Sequence, residues 1–234
     1  MKTTLAKLLL LSLASGFLVE APAHANLIFT IENPGVQSTT VAGASTEDFE
    51  SLPIGVLGVY HSAAIGGTYS GGQIIPHDLY GGAGGVGQYD VVGLGNTVSQ
   101  TLQFDSPKTY FGIWWSAGDA ANKIEFFDPS NTLLGSYVIG DIIPFLSAAY
   151  LGNPNTGENP GEYYAYLNFT TTGGSLIDRI VFENVTASGF ESDNHSVFDQ
   201  PITPPGHSIP EAGSTLIMLG GSLAALLSLR RKYA

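Results

Sequence analysis

The stretch from residue 97 to residue 115 reads TVSQTLQFDSPKTYFGIWW and contains two strand patterns in succession. Residues 97–104 alternate between mainly apolar and polar positions, which indicates a strand with one buried face and one wet face. Residues 110–115 are continuously apolar, which is typical of a central strand covered on both faces. Together the two segments predict packed β-sheets in this part of the chain.

Short apolar runs separated by turn sequences continue beyond this stretch. Residues 123–127 and 133–139 flank the turn sequence DPSN and are predicted to form a hairpin. Residues 163–169 and 176–182 flank the sequence TTGG and are predicted to form a second hairpin. Further strands are expected at residues 27–31 and within residues 188–198. The chain therefore predicts a large number of short strands.

The predicted fold is all-β, with a single jelly-roll-like β-sandwich over residues 26–199 that is almost free of helix. Residues 66–87 carry nine of the 30 glycines and are predicted to be a loop, as is the polar segment 148–161. Within the first loop, residues 82–87 spell G-x-G-x-x-G but lack the preceding strand and following helix of a dinucleotide site. Residues 200–208 are rich in proline and predict a linker.

The charge balance of the middle of the chain restricts its partners. Residues 26–209 contain three basic and 18 acidic side chains, so their net charge is −15. Nucleic acid is excluded as a partner, since phosphate binding needs basic residues. Divalent cations and neutral glycans are favoured instead. The chain has no cysteine, which excludes disulfides, zinc–thiolate sites and thiol nucleophiles.

The N-terminus has the build of a secretory signal peptide. Lys2 and Lys7 provide a charged start, residues 8–19 are almost wholly apolar, and Ala23 and Ala25 are the small residues that a signal peptidase reads. We expect residues 1–25 to be removed by signal peptidase after Ala25. The mature protein is therefore expected to be exported.

The C-terminus has three parts in a fixed order. Pro210, Glu211 and Ala212 come first, followed by a short apolar helix over residues 216–229 and then by a basic stop. The basic stop consists of Arg230, Arg231 and Lys232. The helix is short for a membrane span, which needs about 20 apolar residues. We expect it to hold the chain only transiently in the inner membrane, with the basic end on the cytoplasmic side.

This tail, residues 209–234, resembles the PEP-CTERM sorting signal of bacterial envelope and biofilm proteins. Pro210 and Glu211 match the first two motif positions, and Arg230 and Arg231 match the terminal cluster. Ala212 stands where the family usually has a second proline, so the motif is a variant. The resemblance implies processing by an exosortase, a membrane transpeptidase-like enzyme, and delivery to the cell surface or the extracellular matrix.

Two acidic clusters predict a cation site. Residues 47–50 read EDFE near the start of the domain, and residues 191–194 read ESDN near its end. Because the first and last strands of a jelly roll often lie side by side, we expect the clusters to meet. Glu50, Glu191, Asp193 and Asn194 are the predicted ligands of a structural calcium ion, which prefers oxygen ligands. These patterns also resemble strand edges of galactose-binding-like carbohydrate modules. The alternative is a solvated acidic strand edge.

No spacing of residues indicates catalysis. The histidines are scattered, no G-x-S-x-G motif occurs, and no pair of carboxylates is singled out. The aromatic residues at 114–115, 163–166 and Tyr80 could stack on sugar rings, or could pack inside the sheets. The sequence thus predicts a non-enzymatic surface or matrix protein, associated with biofilm exopolysaccharide. The alternative is a carbohydrate-binding module with the same sorting tail.

Overall fold

The computed structural model describes residues 26–94, 98–184 and 188–208, which form an all-β sandwich of two antiparallel sheets. The described residues contain fifteen strands, one four-residue α-helix, α1 (Ile139–Ile142), and three 3-10 turns of three residues each. The first strands are β1 (Leu27–Ile31), β2 (Ser45–Glu47), β3 (Gly55–Val56), β4 (Val59–Ser62), β5 (Gly67–Ser70), β6 (Gln73–Pro76) and β7 (Gln88–Val92). The later strands are β8 (Ser99–Lys108), β9 (Tyr110–Gly118), β10 (Asn122–Phe127), β11 (Leu133–Val138), β12 (Tyr163–Thr171), β13 (Ile177–Asn184), β14 (Phe190–Phe198) and β15 (His207–Ser208).

The two sheets differ in size. The larger sheet has nine strands in the order β15-β1-β12-β9-β14-β7-β6-β3, with β2 paired to part of β14. The smaller sheet has six strands in the order β11-β10-β13-β8-β5-β4. The predicted hairpin around the DPSN turn is confirmed as β10 and β11, which pair from Lys123 opposite Val138 onwards.

Strand β9 lies at the centre of the larger sheet and is buried along its whole length, as the continuous apolar run predicted. Phe111, Ile113 and Trp115 point into the core between the sheets. Trp114 belongs to a second apolar cluster on the opposite face of the same sheet. Strand β8 alternates between buried and more exposed positions, which also agrees with its sequence pattern.

The core between the sheets contains a polar side chain among aromatic rings. His195 is fully buried and its ring stacks on Phe182 of the smaller sheet, with a centroid distance of 5.2 Å. Its Nδ1 atom lies 2.8 Å from the Tyr69 hydroxyl, which also belongs to the smaller sheet, and its Nε2 atom lies 3.0 Å from Ser192 Oγ. Burial lowers the pKa of His195 to about 3, so the neutral ring joins the two sheets.

The predicted second hairpin is wrong. Strand β12 belongs to the larger sheet, whereas β13 belongs to the smaller one, so the two strands do not pair. The TTGG sequence does reverse the chain, but the reversal carries it across the sandwich. A turn sequence indicates a change of direction and does not identify the neighbour to which the next strand bonds.

The loop predicted for residues 66–87 is also wrong in part, because β5 and β6 lie within it. Gly67 pairs with Phe104 of β8, and a β-carbon on Gly67 would lie 2.9 Å from the Leu102 side chain. Glycine at position 67 therefore permits β5 to pack closely against β8. Because glycine has no side chain, it also interrupts the alternation of apolar and polar residues that would indicate a strand.

The end of the described chain is held on the sandwich. Residues 200–208 were predicted to be a linker, but His207 and Ser208 form β15 and pair with β1 at the edge of the larger sheet. The Thr109 hydroxyl donates a hydrogen bond to the carbonyl of Gln200 at 2.7 Å. The predicted signal peptide (1–25) and sorting tail (209–234) lie outside the described residues. Among the residues that are described, no helix has the length and apolarity to cross a membrane.

Gly112 in β9 offers a test of this packing. A β-carbon on Gly112 would overlap the hydroxyl groups of Tyr110 and Tyr166, so Gly112→Ala should lower the free energy of unfolding by about 1–3 kcal/mol, as overpacking does. Gly161→Ala is the matched control, since a β-carbon there meets no atom within 4 Å and the change should stay within about 0.5 kcal/mol. Urea denaturation measures both, and equal stabilities would contradict the packing described here.

Candidate functional site

The face of the larger sheet that points away from the smaller sheet is itself buried. Trp114, Tyr164 and Tyr166 on this face are at most 2% exposed. Val36 and Ala83, which lie in two covering loops, pack against these rings. We call this side of the larger sheet the covered face. Of the aromatic residues that could stack on sugars, Tyr80 is exposed, whereas the two tryptophans, Tyr164 and Tyr166 pack inside the protein.

Side chains of β14 bind the covering loops to the sheet. Asp193 Oδ2 accepts a hydrogen bond of 2.8 Å from the backbone N–H of Ala83. The Asn194 side chain donates a 2.7 Å hydrogen bond to the carbonyl of Gln37. The Gln37 side chain in turn accepts a 2.7 Å hydrogen bond from the backbone N–H of Gly84, so the two loops are also joined to each other.

A bulge in β14 places these side chains. The register of β14 against β9 shifts between Asp193 and Ser196. Asn194 has a φ of 49°, in the left-handed region. Its side chain bonds to a covering loop, whereas the ring of its neighbour His195 lies in the core between the sheets. The bulge therefore sends three successive polar residues, from Asp193 to His195, to different partners.

The two acidic clusters meet, as the sequence predicted. Strand β2 pairs with β14 so that Glu47 lies opposite His195, which brings residues 47–50 beside residues 193–194. Asp48, Glu50, Asp193 and Asn194 line one open cavity of about 370 Å³, with Gln37 and Gly84 on its other side. We call this cavity the acidic pocket.

The predicted calcium ligands are only partly brought together. Glu50, Asp193 and Asn194 line the acidic pocket, whereas Glu191 does not. Glu191 lies two residues along β14, and the carboxylates that act on it are those of Asp119, Glu162 and Asp78. Within residues 26–94, 98–184 and 188–208, no group of three or more His, Asp or Glu side chains is arranged to hold a metal ion. The calcium ion remains a prediction.

Burial controls the electrostatics of these carboxyl groups. Burial raises the pKa of Asp193 to about 7, with further upward shifts from Glu50 and Asp48, while the N–H groups of Ala83 and Asn194 act in the opposite direction. Burial likewise raises the pKa of Glu191 to about 9, and its Oε2 atom has no hydrogen-bond partner among the described residues. Asp90, which the sequence did not single out, is fully buried and its pKa rises to about 7.

Glu47 has a structural role outside the acidic pocket. Its carboxylate accepts hydrogen bonds from the backbone N–H of Phe49 at 2.9 Å and from the Tyr60 hydroxyl at 3.0 Å. The bond to Tyr60 joins the start of the domain to β4 of the smaller sheet. Phe49 is fully buried, as expected for the apolar residue of this cluster.

The glycine-rich segment 82–87 is a tight loop of the acidic pocket. It forms a single 3-10 turn at Ala83–Gly85 and leads into β7, so the helix that a dinucleotide site requires does not follow it. Gly87 has a φ of 78°, and the Glu50 carboxylate occupies the position that a β-carbon on Gly87 would take. Glycine at this position therefore lets Glu50 lie against the loop and accept a hydrogen bond from the N–H of Gln88.

No protein-family model and no curated protein matches this chain. Its function is therefore argued from its own residues and their geometry.

The buried carboxyl groups predict an unusual dependence of stability on pH. Asp90 and Asp193 ionise near pH 4 in the unfolded chain but near pH 7 in the folded protein, so the folded protein holds more protons between these values. Glu191 extends this window to about pH 9. Below about pH 6.5 the unfolded chain holds more protons on His195, so this group makes stability rise with pH. It is one group, however, against the three carboxyl groups. Stability should therefore fall as the pH rises from 5 to 9.

Thermal melting at each pH measures this effect, and the melting temperature should drop by several degrees between pH 5 and pH 9. Asp193→Asn should reduce the slope, because it removes one titrating carboxyl and keeps a similar shape. Glu158→Gln, in an exposed loop, is the control and should leave the slope unchanged. A melting temperature that rises over this range would show that these carboxyl groups are not buried as described.

Proposed function

We propose that this chain is a non-enzymatic exported protein that an exosortase sorts to the cell surface or to the extracellular matrix of a biofilm. The observation that carries the proposal is the order of the tail: a Pro-Glu motif at Pro210 and Glu211, a short apolar helix, and a basic end. The signal peptide at the other end supplies the export that such sorting requires. In the matrix, the domain would associate with exopolysaccharide.

The geometry of the described ends supports this proposal. Strand β15 pairs with β1, with Ser208 opposite Thr30, so the first and last strands are neighbours in the larger sheet. Because the pair is antiparallel, the chain enters at Leu27 and leaves after Ser208 toward the same end of the sandwich. Removal of both flanking segments leaves all fifteen described strands in place.

We further propose that the sandwich has jelly-roll topology. From β7 to β10 and again from β11 to β14, consecutive strands alternate between the larger and the smaller sheet. Such alternation is what a jelly roll requires, because its chain crosses repeatedly between two sheets.

The second candidate function is a carbohydrate-binding module stabilised by calcium, and the acidic pocket is the observation that favours it. Asp48 and Glu50 raise the pKa of Asp193, and a cation in the pocket would relieve this repulsion. However, both oxygens of Asp193 already accept backbone hydrogen bonds, from Ala83 and from Asn194. Calcium would have to compete with these bonds, or bind through the lone pairs of the Asp193 oxygens that accept no hydrogen bond.

Processing tests the main proposal. Protein recovered from the surface or medium of a host with an exosortase should have lost residues 1–25 and the tail, since each segment is built for removal. Changing Pro210 and Glu211 together to alanine should leave a membrane-held precursor, whereas changing the nearby Thr203 and Pro204 should not. Intact-mass measurement distinguishes these chains. A recovered protein that still ends at Ala234 would overturn the proposal.

Calcium titration tests the second candidate. If an ion binds in the acidic pocket, calcium should raise the melting temperature and a chelator should lower it, because a ligand that binds only the folded state adds about 2.7 kcal/mol at 100 times its Kd. Magnesium should substitute poorly, since it requires a smaller octahedral cage. Asp193→Asn should abolish the response and Glu158→Gln should keep it. A melting curve indifferent to calcium would remove this candidate.

A further inference from the structure

A second cavity lies at the end of the sandwich where β8 crosses to β9. Its volume is about 340 Å³. It is lined by the end of β8 at Lys108, the end of β14 at Phe198 and Asp199, and the start of β2 at Ser45. Ile65, from the turn between β4 and β5, closes its inner wall. We call this cavity the Lys108 pocket, and it is separate from the acidic pocket.

Lys108 is unusual because it is buried and forms no ion pair with a carboxylate among the described residues. The residue is only 8% exposed. Its ammonium donates one hydrogen bond of 3.3 Å to Ser106 Oγ and lies 5.9 Å from the ring centroid of Phe104. An ammonium has three donors and Lys108 lines the cavity, so it has donors left for a ligand there. A buried cation that lacks a charged partner is unfavourable, and an anion that enters the pocket would remove that penalty.

The Asp105 carboxylate lies near Lys108 but bonds to a different side chain. Asp105 and Lys108 both approach Gly66, but the Asp105 carboxylate binds His61, with 2.8 Å between Oδ2 and Nε2. No ion pair joins Lys108 to a carboxylate in the described part of the chain. Lys123, the other lysine of the sandwich, bonds to both Glu125 and Glu183.

The remaining lining residues indicate what kind of anion fits. Phe198 is half-buried and offers an aromatic ring, on which the apolar face of a sugar can pack. Ser45 and Asp199 can exchange hydrogen bonds with hydroxyl groups. The carboxylate of Asp199 and the strongly acidic domain disfavour a dianion such as phosphate. The volume is at the small end of the usual range of about 300–1,000 Å³, which suits a single ring.

We propose that the Lys108 pocket binds the carboxylate-bearing sugar ring of a uronic acid, with Lys108 on the carboxylate and Phe198 against the ring. This inference rests on the proposed function, since the matrix location is what identifies an acidic polysaccharide as the source of the ring. It refines the expectation from net charge, which favoured neutral glycans, because Lys108 places a positive charge in the lining of this pocket.

Titration of the full-length chain with small probes tests the pocket, with binding followed by calorimetry or by NMR shifts. Glucuronate should bind saturably, and methyl glucoside, which lacks the carboxylate, should bind about tenfold more weakly or worse. Acetate, which has the carboxylate but no ring, and inorganic phosphate should also bind more weakly than glucuronate. Acetate that binds as well as glucuronate would overturn the assignment of a sugar site, as would phosphate that binds better.

Variants locate the binding. Lys108→Met keeps the aliphatic length and should reduce the affinity for glucuronate about tenfold or more, whereas the matched Lys123→Met should leave it unchanged. Asp199→Asn, at an exposed residue, should strengthen glucuronate binding, because it removes a negative charge that repels the carboxylate. This variant tests the pocket even if Lys108→Met fails to fold. Affinities that both Lys108→Met and Asp199→Asn leave unchanged would overturn the proposal.

The outcomes separate this inference from the proposed function. A chain that is processed at both ends but does not bind glucuronate would remove the inference and leave the proposed function standing. A chain that binds glucuronate through Lys108 but retains Ala234 in an exosortase host would remove the proposed function and leave the binding site standing.

Discussion

The larger sheet is buried on both of its faces, and this constraint governs much of the structure around it. One face packs on the smaller sheet, but the other carries Trp114, Tyr164 and Tyr166 and must also be kept from water. Loops cover it, and loops bring backbone polar groups that need partners when they are buried. Asp193 and Asn194 provide partners for two loops. The Tyr164 hydroxyl provides another, since it donates to the carbonyl of Leu79.

Covering this face has an electrostatic cost. The Asp193 carboxyl group binds a loop N–H group and is buried with it, so its pKa rises and it resists ionisation. Burial also raises the pKa of Glu191. The hydrogen bonds of Asp193 and Asn194 at the acidic pocket thus connect the covering loops to the sheet. A cation that binds there would act on connections that already exist. The Lys108 pocket presents a different case, because its buried group is a lysine that forms no ion pair in the described part of the chain.

Covering also changes the interpretation of the aromatic residues. A carbohydrate module that relies on stacking displays its rings, whereas here the two tryptophans are 1% exposed. Recognition of a glycan by this domain would instead depend on polar pockets at the margins of the sandwich, with Phe198 as a partly exposed ring. A pocket of this size would hold one sugar unit, and the proposed matrix role would then depend on many weak contacts along a polymer.

The sequence by itself determined the all-β class, the central strand over residues 110–115, the hairpin of β10 and β11, and the meeting of the two acidic clusters. The first three follow from periodicity and turn chemistry, which are local. The meeting of the clusters follows from the expectation that the first and last strands lie side by side. It did not reveal that β12 and β13 lie in different sheets, that β5 and β6 lie in a glycine-rich segment, or that Glu191 points away from Asp193's pocket. Nor did it reveal the burial of His195 and Lys108. Only the tertiary structure decided these points, because partner choice, bulges and burial depend on residues that are distant in the chain.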